Sequence, residues 1–301
     1  MRGLVSALGV GLTTAMVSSA ALAQDLIGEP TNGGMGLQPA AAPLKHHAHF
    51  FHDVILLPII TVISLFVLGL LLWCVVRYNR KANPVPAKFS HNTVIEVVWT
   101  LVPVLILMFI AIFSFQLLFQ YHDAPKADVT VKATGYQWYW GYEYPDQEIG
   151  EITSTMMSED DVAKNGLPHR LYRLKASEPM VVPVNKVVRV QVTAVDVIHA
   201  FALPAFGLKT DAVPGRLNET WFKADRVGTF YGQCSELCGV DHAFMPIEIK
   251  VVSQAEFDAW VAAKKAPPAP TPAAVTPAEG AAPAAATPAP AAPAPAAPAA
   301  N

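Results

Sequence analysis

Thr229-Phe230-Tyr231-Gly232-Gln233-Cys234-Ser235-Glu236-Leu237-Cys238-Gly239-Val240-Asp241-His242-Ala243-Phe244-Met245-Pro246-Ile247-Glu248-Ile249 is the stretch on which the reading of this chain turns. Its two ends have the composition and alternation of β-strands, and its centre gathers two thiols, an imidazole and a thioether. Soft sulfur combined with imidazole selects copper over hard cations. A mononuclear blue-copper site needs a single cysteine, whereas Cys234 and Cys238 together suit two copper ions bridged by both sulfurs. Two other chemistries fit the pair. An exported protein favours a Cys234–Cys238 disulfide, and two cysteines with two histidines make an acceptable zinc set. A disulfide explains neither His242 nor Met245, and zinc seldom takes a thioether, so copper is favoured.

Working outward, Asp128–Ala133, Val188–Thr193 and Pro246–Val251 alternate with period two, which predicts short strands of a β-sandwich or barrel. His199 falls just past the strand that ends near Ala194. A histidine at a strand end is ordinarily structural, but one strand end plus a late loop is the split ligand pattern of cupredoxins. Ser253 and Glu256 form a capping box that opens a short helix through Phe257 and Trp260, placed to close one end of the domain.

Upstream, Val54–Val76 and about Val94–Tyr121 are apolar runs long enough to cross a bilayer, each with an internal proline, Pro58 and Pro103, that can kink it. The loop between them carries Arg77, Arg80, Lys81 and Lys88 and no acid, which places it in the cytoplasm and both termini on the exported side. Met1–Ala23 reads as a cleaved secretory signal, and residues 266–301, almost only Ala, Pro and Thr, as a tail that cannot pack. The expected organisation is therefore signal 1–23, exported segment 24–53, membrane hairpin 54–121, copper domain 122–265 and tail 266–301. A formal net charge of −3 offers no basic excess for nucleic acid. Glu96, near the start of the second span, is either an interfacial acid or a proton or subunit contact. The His46-His47-Ala48-His49 cluster suits an interfacial or subunit contact better than a metal.

With these residues assembled, the chain resembles subunit II of a bacterial haem–copper cytochrome c oxidase from about His46 to Trp260. The resemblance implies a membrane α-helical hairpin plus an all-β, cupredoxin-like Greek-key barrel in the bacterial inner membrane. It implies a binuclear copper centre held by His199, Cys234, Cys238, His242, Met245 and the backbone carbonyl of Glu236. The Glu236 carboxylate would reach a magnesium ion shared with subunit I, a hard cation suited to oxygen ligands. Within Gly135-Tyr136-Gln137-Trp138-Tyr139-Trp140, Trp138 would be the point where electrons arrive from cytochrome c. Glu96 would stand at the mouth of a proton channel, and Lys209, Asp211 and Arg216 would face subunit I near its haem. Asp146, Glu148 and Asp196 are candidate docking acids for a basic cytochrome. Ile149 and Val195 stand where relatives often carry acids, which implies weaker or differently arranged docking.

The function implied is electron transfer from cytochrome c to haem in subunit I, where oxygen is reduced and protons are pumped. A quinol-oxidase subunit II would lack the copper ligands, and a nitrous-oxide reductase would need a large catalytic domain for which the chain has no room. A membrane-anchored copper carrier or metal-delivery protein is the alternative from another class, and it would need exchangeable, usually mononuclear binding. No Cys-x-x-Cys-His occurs, so an external cytochrome is the expected donor.

Overall fold

The computed structural model describes residues 28–266, so the expectations for the signal at 1–23 and the tail lie outside the described residues, Ala266 apart. The first span is part of a longer helix. It begins with α1 (Pro43–Phe50), passes through a π turn (Phe51–Leu56) and continues as α2 (Leu57–Arg77). Pro58 has no N–H for the carbonyl four residues back, and the wide turn falls just ahead of it. The helix therefore starts at Pro43 instead of Val54. Its first turns carry polar histidines, because here it packs on the globular domain and on the second apolar helix: His46 Nε2 lies 2.8 Å from Asp225, and His47 Nδ1 lies 2.8 Å from Gln120 Oε1. The histidine cluster is thus spent on contacts between elements, as its place before the span suggests.

The second span is α3 (Thr93–His122), with Pro103 inside it. Asn92 caps it: its Oδ1 accepts from the Ile95 N–H at 3.2 Å, and Glu96 Oε1 accepts from the Asn92 N–H at 3.3 Å. Both helices are long and apolar enough to cross a membrane, and almost none of their surface is buried within the chain. Leu65, Phe66, Trp73, Leu105 and Leu107 all face outward, which in water would be untenable and in lipid is expected.

The globular part is built from ten strands in two sheets. They are β1 (Val129–Tyr136), β2 (Tyr139–Tyr144), β3 (Ile149–Ser154), β4 (Met180–Pro183), β5 (Val187–Ala194), β6 (His199–Leu203), β7 (Leu208–Ala212), β8 (Asn218–Lys223), β9 (Gly228–Cys234) and β10 (Pro246–Val252). One sheet has the order β3-β2-β1-β5-β8 and the other β4-β10-β9-β6-β7. The expected period-two segments are β1, β5 and β10; in β5, Val188, Val190 and Val192 alternate inward with exposed or half-buried neighbours. Inward side chains of both sheets share one core containing Trp140, Phe201, Phe206, Phe222, Phe230 and Ile249. A short helix α4 (Glu159–Lys164) lies in the β3–β4 connection, and α5 (Gln254–Lys265) follows β10. The capping box forms as read, with Ser253 N–H donating to Glu256 at 2.9 Å. Phe257 is buried and Trp260 lies 4.9 Å from Tyr144, closing that end of the sandwich.

Strand β9 crosses β6 where Gly232 lies against Ala202; a Cβ on Gly232 would overlap the Ala202 carbonyl oxygen, which is backbone and cannot rotate away. Gly232→Ala should therefore destabilise the chain by about 1–3 kcal/mol, the usual cost of overpacking, and lower its copper content. Denaturant unfolding and metal analysis check this; a variant as stable as the parent would contradict the tight crossing.

Candidate metal centre

His199 opens β6 and Cys234 ends β9, and the two antiparallel strands are in register at Phe201↔Cys234 and Ala202↔Gln233. The chain then leaves the sheet, turns at Gly239 (φ 125°), makes a single 3-10 turn over His242–Phe244 and re-enters at Met245 ahead of β10. His199, Cys234, Cys238 and Met245 are buried, and His242 is half-buried. His199 Nδ1 lies 3.8 Å from Cys234 Sγ, and Cys234 Sγ lies 3.9 Å from Cys238 Sγ. His242 Nδ1 and Met245 Sδ each lie 3.5 Å from Cys238 Sγ, while the Glu236 carbonyl oxygen lies 3.4 Å from Cys234 Sγ. Both thiols are free.

The donors divide evenly. Cys234 has one imidazole and one carbonyl beside it; Cys238 has one imidazole and one thioether. Two sulfurs, two imidazoles and a thioether converging in a buried pocket fit copper, and a Met245 sulfur in that position is wasted on zinc.

Electrostatics make the pair asymmetric before metal binds. Burial pushes the Cys234 thiol up, but contacts with His199 and with the Ala200 and Glu236 backbone outweigh it and bring it down to about 6. Burial and the neighbouring Cys234 charge push Cys238 up to about 12. Ionisation of the pair thus favours Cys234, and a bound cation would displace the proton that Cys238 holds.

Further contacts aim the ligands. Asp196 Oδ1 lies 2.9 Å from His199 Nε2, which turns Nδ1 toward the sulfur. The same carboxylate accepts from the Val197 N–H at 2.7 Å and, through Oδ2, from the Gln137 N–H at 2.6 Å. Burial opposes its ionisation, but these partners hold its pKa below the usual carboxylate value. Gln137 Nε2 and Trp138 Nε1 both donate to the Cys238 carbonyl, at 2.8 and 3.2 Å. Gly135 lies against the His199 ring, and Gly239 lies against the Trp138 indole. Sequence reading missed the parts played by Gly135, Gln137 and Gly239. Their signal was present: two flank Trp138 in the aromatic run, and the third follows Cys238.

The structure brings Trp138 and all six expected copper donors to one end of the sandwich. Glu236 is half-buried, its carboxylate 3.5 Å from Lys209 on β7. Asp146 and Glu148 are not brought there. Asp146 accepts from the Thr130 N–H at 2.7 Å, and Glu148 lies 3.9 Å from Lys265. Strand β2 runs back along β1, so these acids sit at the far end from Gly135, roughly 17 Å away at about 3.3 Å per residue. Ile149 is buried in the core, so it is no docking position, whereas Val195 is exposed. Asp196 is at the copper end, but both its oxygens are engaged inward.

A Cβ on Gly135 would come within 2.9 Å of His199 Cδ2. Gly135→Ala should displace the imidazole and lower copper affinity about tenfold or more, as loss of a ligand-orienting contact does. Competition with a copper chelator measures it, and unchanged affinity would show that the ring position is not limiting.

Two family descriptions match the chain: "Cytochrome C oxidase subunit II, periplasmic domain" over residues 129–252 and "Cytochrome C oxidase subunit II, transmembrane domain" over residues 30–117. The chain is 47% identical over 268 residues to cytochrome c oxidase subunit 2 of Cereibacter sphaeroides, covering 83% of this chain and 88% of that protein. It is 50% identical over 236 residues to the probable cytochrome c oxidase subunit 2 of Rickettsia bellii, covering 78% of this chain and 86% of that protein. Among solved structures, the periplasmic domain of subunit II of cytochrome oxidase of Bradyrhizobium japonicum is 61% identical, with a TM-score of 0.43, covering 48% of this chain and 97% of that one.

Proposed function

The chain belongs to the cytochrome c oxidase subunit II family, and on that premise we propose that it accepts electrons from cytochrome c near Trp138 at a binuclear copper centre and passes them to haem in subunit I. The observation that carries this reading is the even division of donors around Cys234 and Cys238. Copper, when bound there, supplies one-electron redox chemistry. The chain's residues do the rest. The ends of β6 and β9 and the loop after β9 hold two imidazoles and two sulfurs close together, and burial of His199, both cysteines and Met245 excludes water. Trp138, half-exposed, joins the surface to the Cys238 carbonyl through its indole N–H. Donors buried this deeply retain a metal, which does not suit a copper carrier.

The finer assignments rest on the same premise. Cys234, Cys238, His199, His242, Met245 and the Glu236 carbonyl are the proposed copper ligands. The Glu236 carboxylate, half-exposed beside Lys209, is the proposed magnesium ligand shared with subunit I. The proposed orientation puts the Arg77–Lys88 loop in the cytoplasm of a bacterium and the copper domain in the periplasm, supported by the four basic residues of that loop. Oxygen reduction and proton pumping belong to the partner subunit. The proposed cytochrome surface is centred on Trp138, with Asp196 at its side; Asp146 and Glu148 lie at the other end of the β1–β2 hairpin.

Metal analysis of the purified oxidase should find two copper ions on this subunit with a mixed-valence spectrum; one copper with a blue spectrum would end the binuclear reading. Trp138→Ala should keep that copper yet slow reduction by cytochrome c by about tenfold or more, a barrier increase of ~1.4 kcal/mol. Unchanged rates would remove Trp138 from the path.

Glu96 is proposed as the entrance of a proton channel in subunit I. Its carboxylate also accepts the Asn92 N–H, a contact that a glutamine can keep. Glu96→Gln should therefore leave assembly and copper content intact and lower turnover; full turnover would reduce Glu96 to a helix cap.

A further inference from the structure

The connection between β3 and β4 does more than join two strands. Its segment from Leu171 to Ala176 touches the copper loop's surroundings at three separate points. Leu171 and Leu174 pack on Tyr231 of β9, three residues before Cys234. Lys175 Nζ lies 2.5 Å from Glu248 Oε1 of β10, and the Ala176 N–H donates to Glu248 Oε2 at 2.9 Å; Glu248 follows Met245 by three residues. Tyr231 and Glu248 are register partners, so the segment grips the two strands at the level where the loop leaves them. Between these anchors Arg173 sits with φ 69°, a left-handed conformation uncommon for a side chain of its size. That backbone sets its guanidinium over the Phe244 ring, 4.8 Å from the centroid. Phe244 ends the 3-10 turn that begins at His242 and immediately precedes Met245.

We propose that the Leu171–Ala176 segment is a bracket for the copper loop and that Arg173, acting through Phe244, is a positioning residue for His242 and Met245. Three observations support it jointly. The Glu248 carboxylate is 1% exposed, and a charge buried that deeply is kept only where its partners are fixed. An uncommon backbone conformation persists only where its surroundings over-determine it. Finally, β9 and β10 hold only the ends of the loop, so the turn at His242–Phe244 needs support from outside the sheet, and Arg173 supplies it. Trp138 meets the loop at other points, Gly239 and the Cys238 carbonyl. The surroundings of Cys238 are thus steadied from two different segments.

The proposal rests on the copper reading above. Arg173→Gly removes the cation at a backbone conformation glycine adopts freely, and Phe244→Leu removes the ring while keeping apolar bulk. Both are made in the full chain of the assembled oxidase, singly and together, with Arg173→Lys as the conservative variant. Two quantities are read: the rate of copper loss to a chelator, and hydrogen exchange of the Asp241–Met245 amides in the copper-free protein. Each single variant should lose copper about two- to fivefold faster, as expected for one exposed cation–π contact, and exchange those amides faster. The double variant should be no worse than either single one, and Arg173→Lys should recover part of the effect. Wild-type rates in both singles, or effects that add in the double, would overturn the coupling. If Arg173→Gly does not assemble, Phe244→Leu and Arg173→Lys decide the matter by the same two measures. A wild-type protein without copper on Cys234 and Cys238 would refute the functional reading, while exchange in the copper-free chain still decides the bracket.

Discussion

The antiparallel pairing of β6 with β9 is the constraint on which the copper end depends. It is brief, with two register pairs, Phe201↔Cys234 and Ala202↔Gln233, extended by the Ser235 N–H bond to the Ala200 carbonyl. That contact brings a histidine and a cysteine 35 positions apart in sequence to 3.8 Å from each other. It also forces a glycine at 232, because β9 passes too close to the Ala202 carbonyl for any side chain. Once His199 and Cys234 are fixed, the β9–β10 pairing returns the chain at Pro246, opposite Gln233. The loop between must then fold over its own start, and Cys238, His242 and Met245 fall beside Cys234.

Much of this was legible in the sequence because it is written in local terms. Period-two alternation located β1, β5 and β10, and the capping box located α5. The proposed ligand set was legible as chemistry, since sulfur, imidazole and thioether in one loop have few uses in common. What linear proximity did not convey was where neighbouring acids sit in space. Asp146 and Glu148 follow Trp138 closely in sequence, but the β1–β2 hairpin carries them to the opposite end of the sandwich. The start of the first helix was also missed. Its histidines lower hydropathy, and hydropathy detects contact with lipid while saying nothing of contact with Asp225. Glu248 gave no signal either: a glutamate between two isoleucines reads as the solvent face of a strand, yet here a connection covers that face.

Asp196 shows how one residue can satisfy two readings of different depth. As an acid beside a histidine at the domain's surface it looks available for a basic partner. Its two oxygens are instead committed to His199, to Val197 and to the Gln137 N–H. A single carboxylate therefore ties an imidazole of the metal site to the backbone that carries Trp138. The backbone beside Trp138 and the buried His199 imidazole therefore share a hydrogen-bond partner.

The thiol pair explains why so much support is arranged before a metal arrives. Two sulfurs 3.9 Å apart resist ionising together: burial and the Cys234 charge raise Cys238, while His199 and backbone partners outweigh burial and lower Cys234. A flexible loop would relieve that repulsion by separating them. Here separation is blocked on one side by the Trp138 and Gln137 bonds to the Cys238 carbonyl and on the other by β9 and the Arg173 contact. The repulsion is relieved only when positive charge enters between the sulfurs. Rigid strands and external contacts thus convert an unfavourable pair of acids into affinity for a soft cation. A site whose donors stay in place through a change of metal charge has little to reorganise, which is the property that rapid one-electron exchange demands.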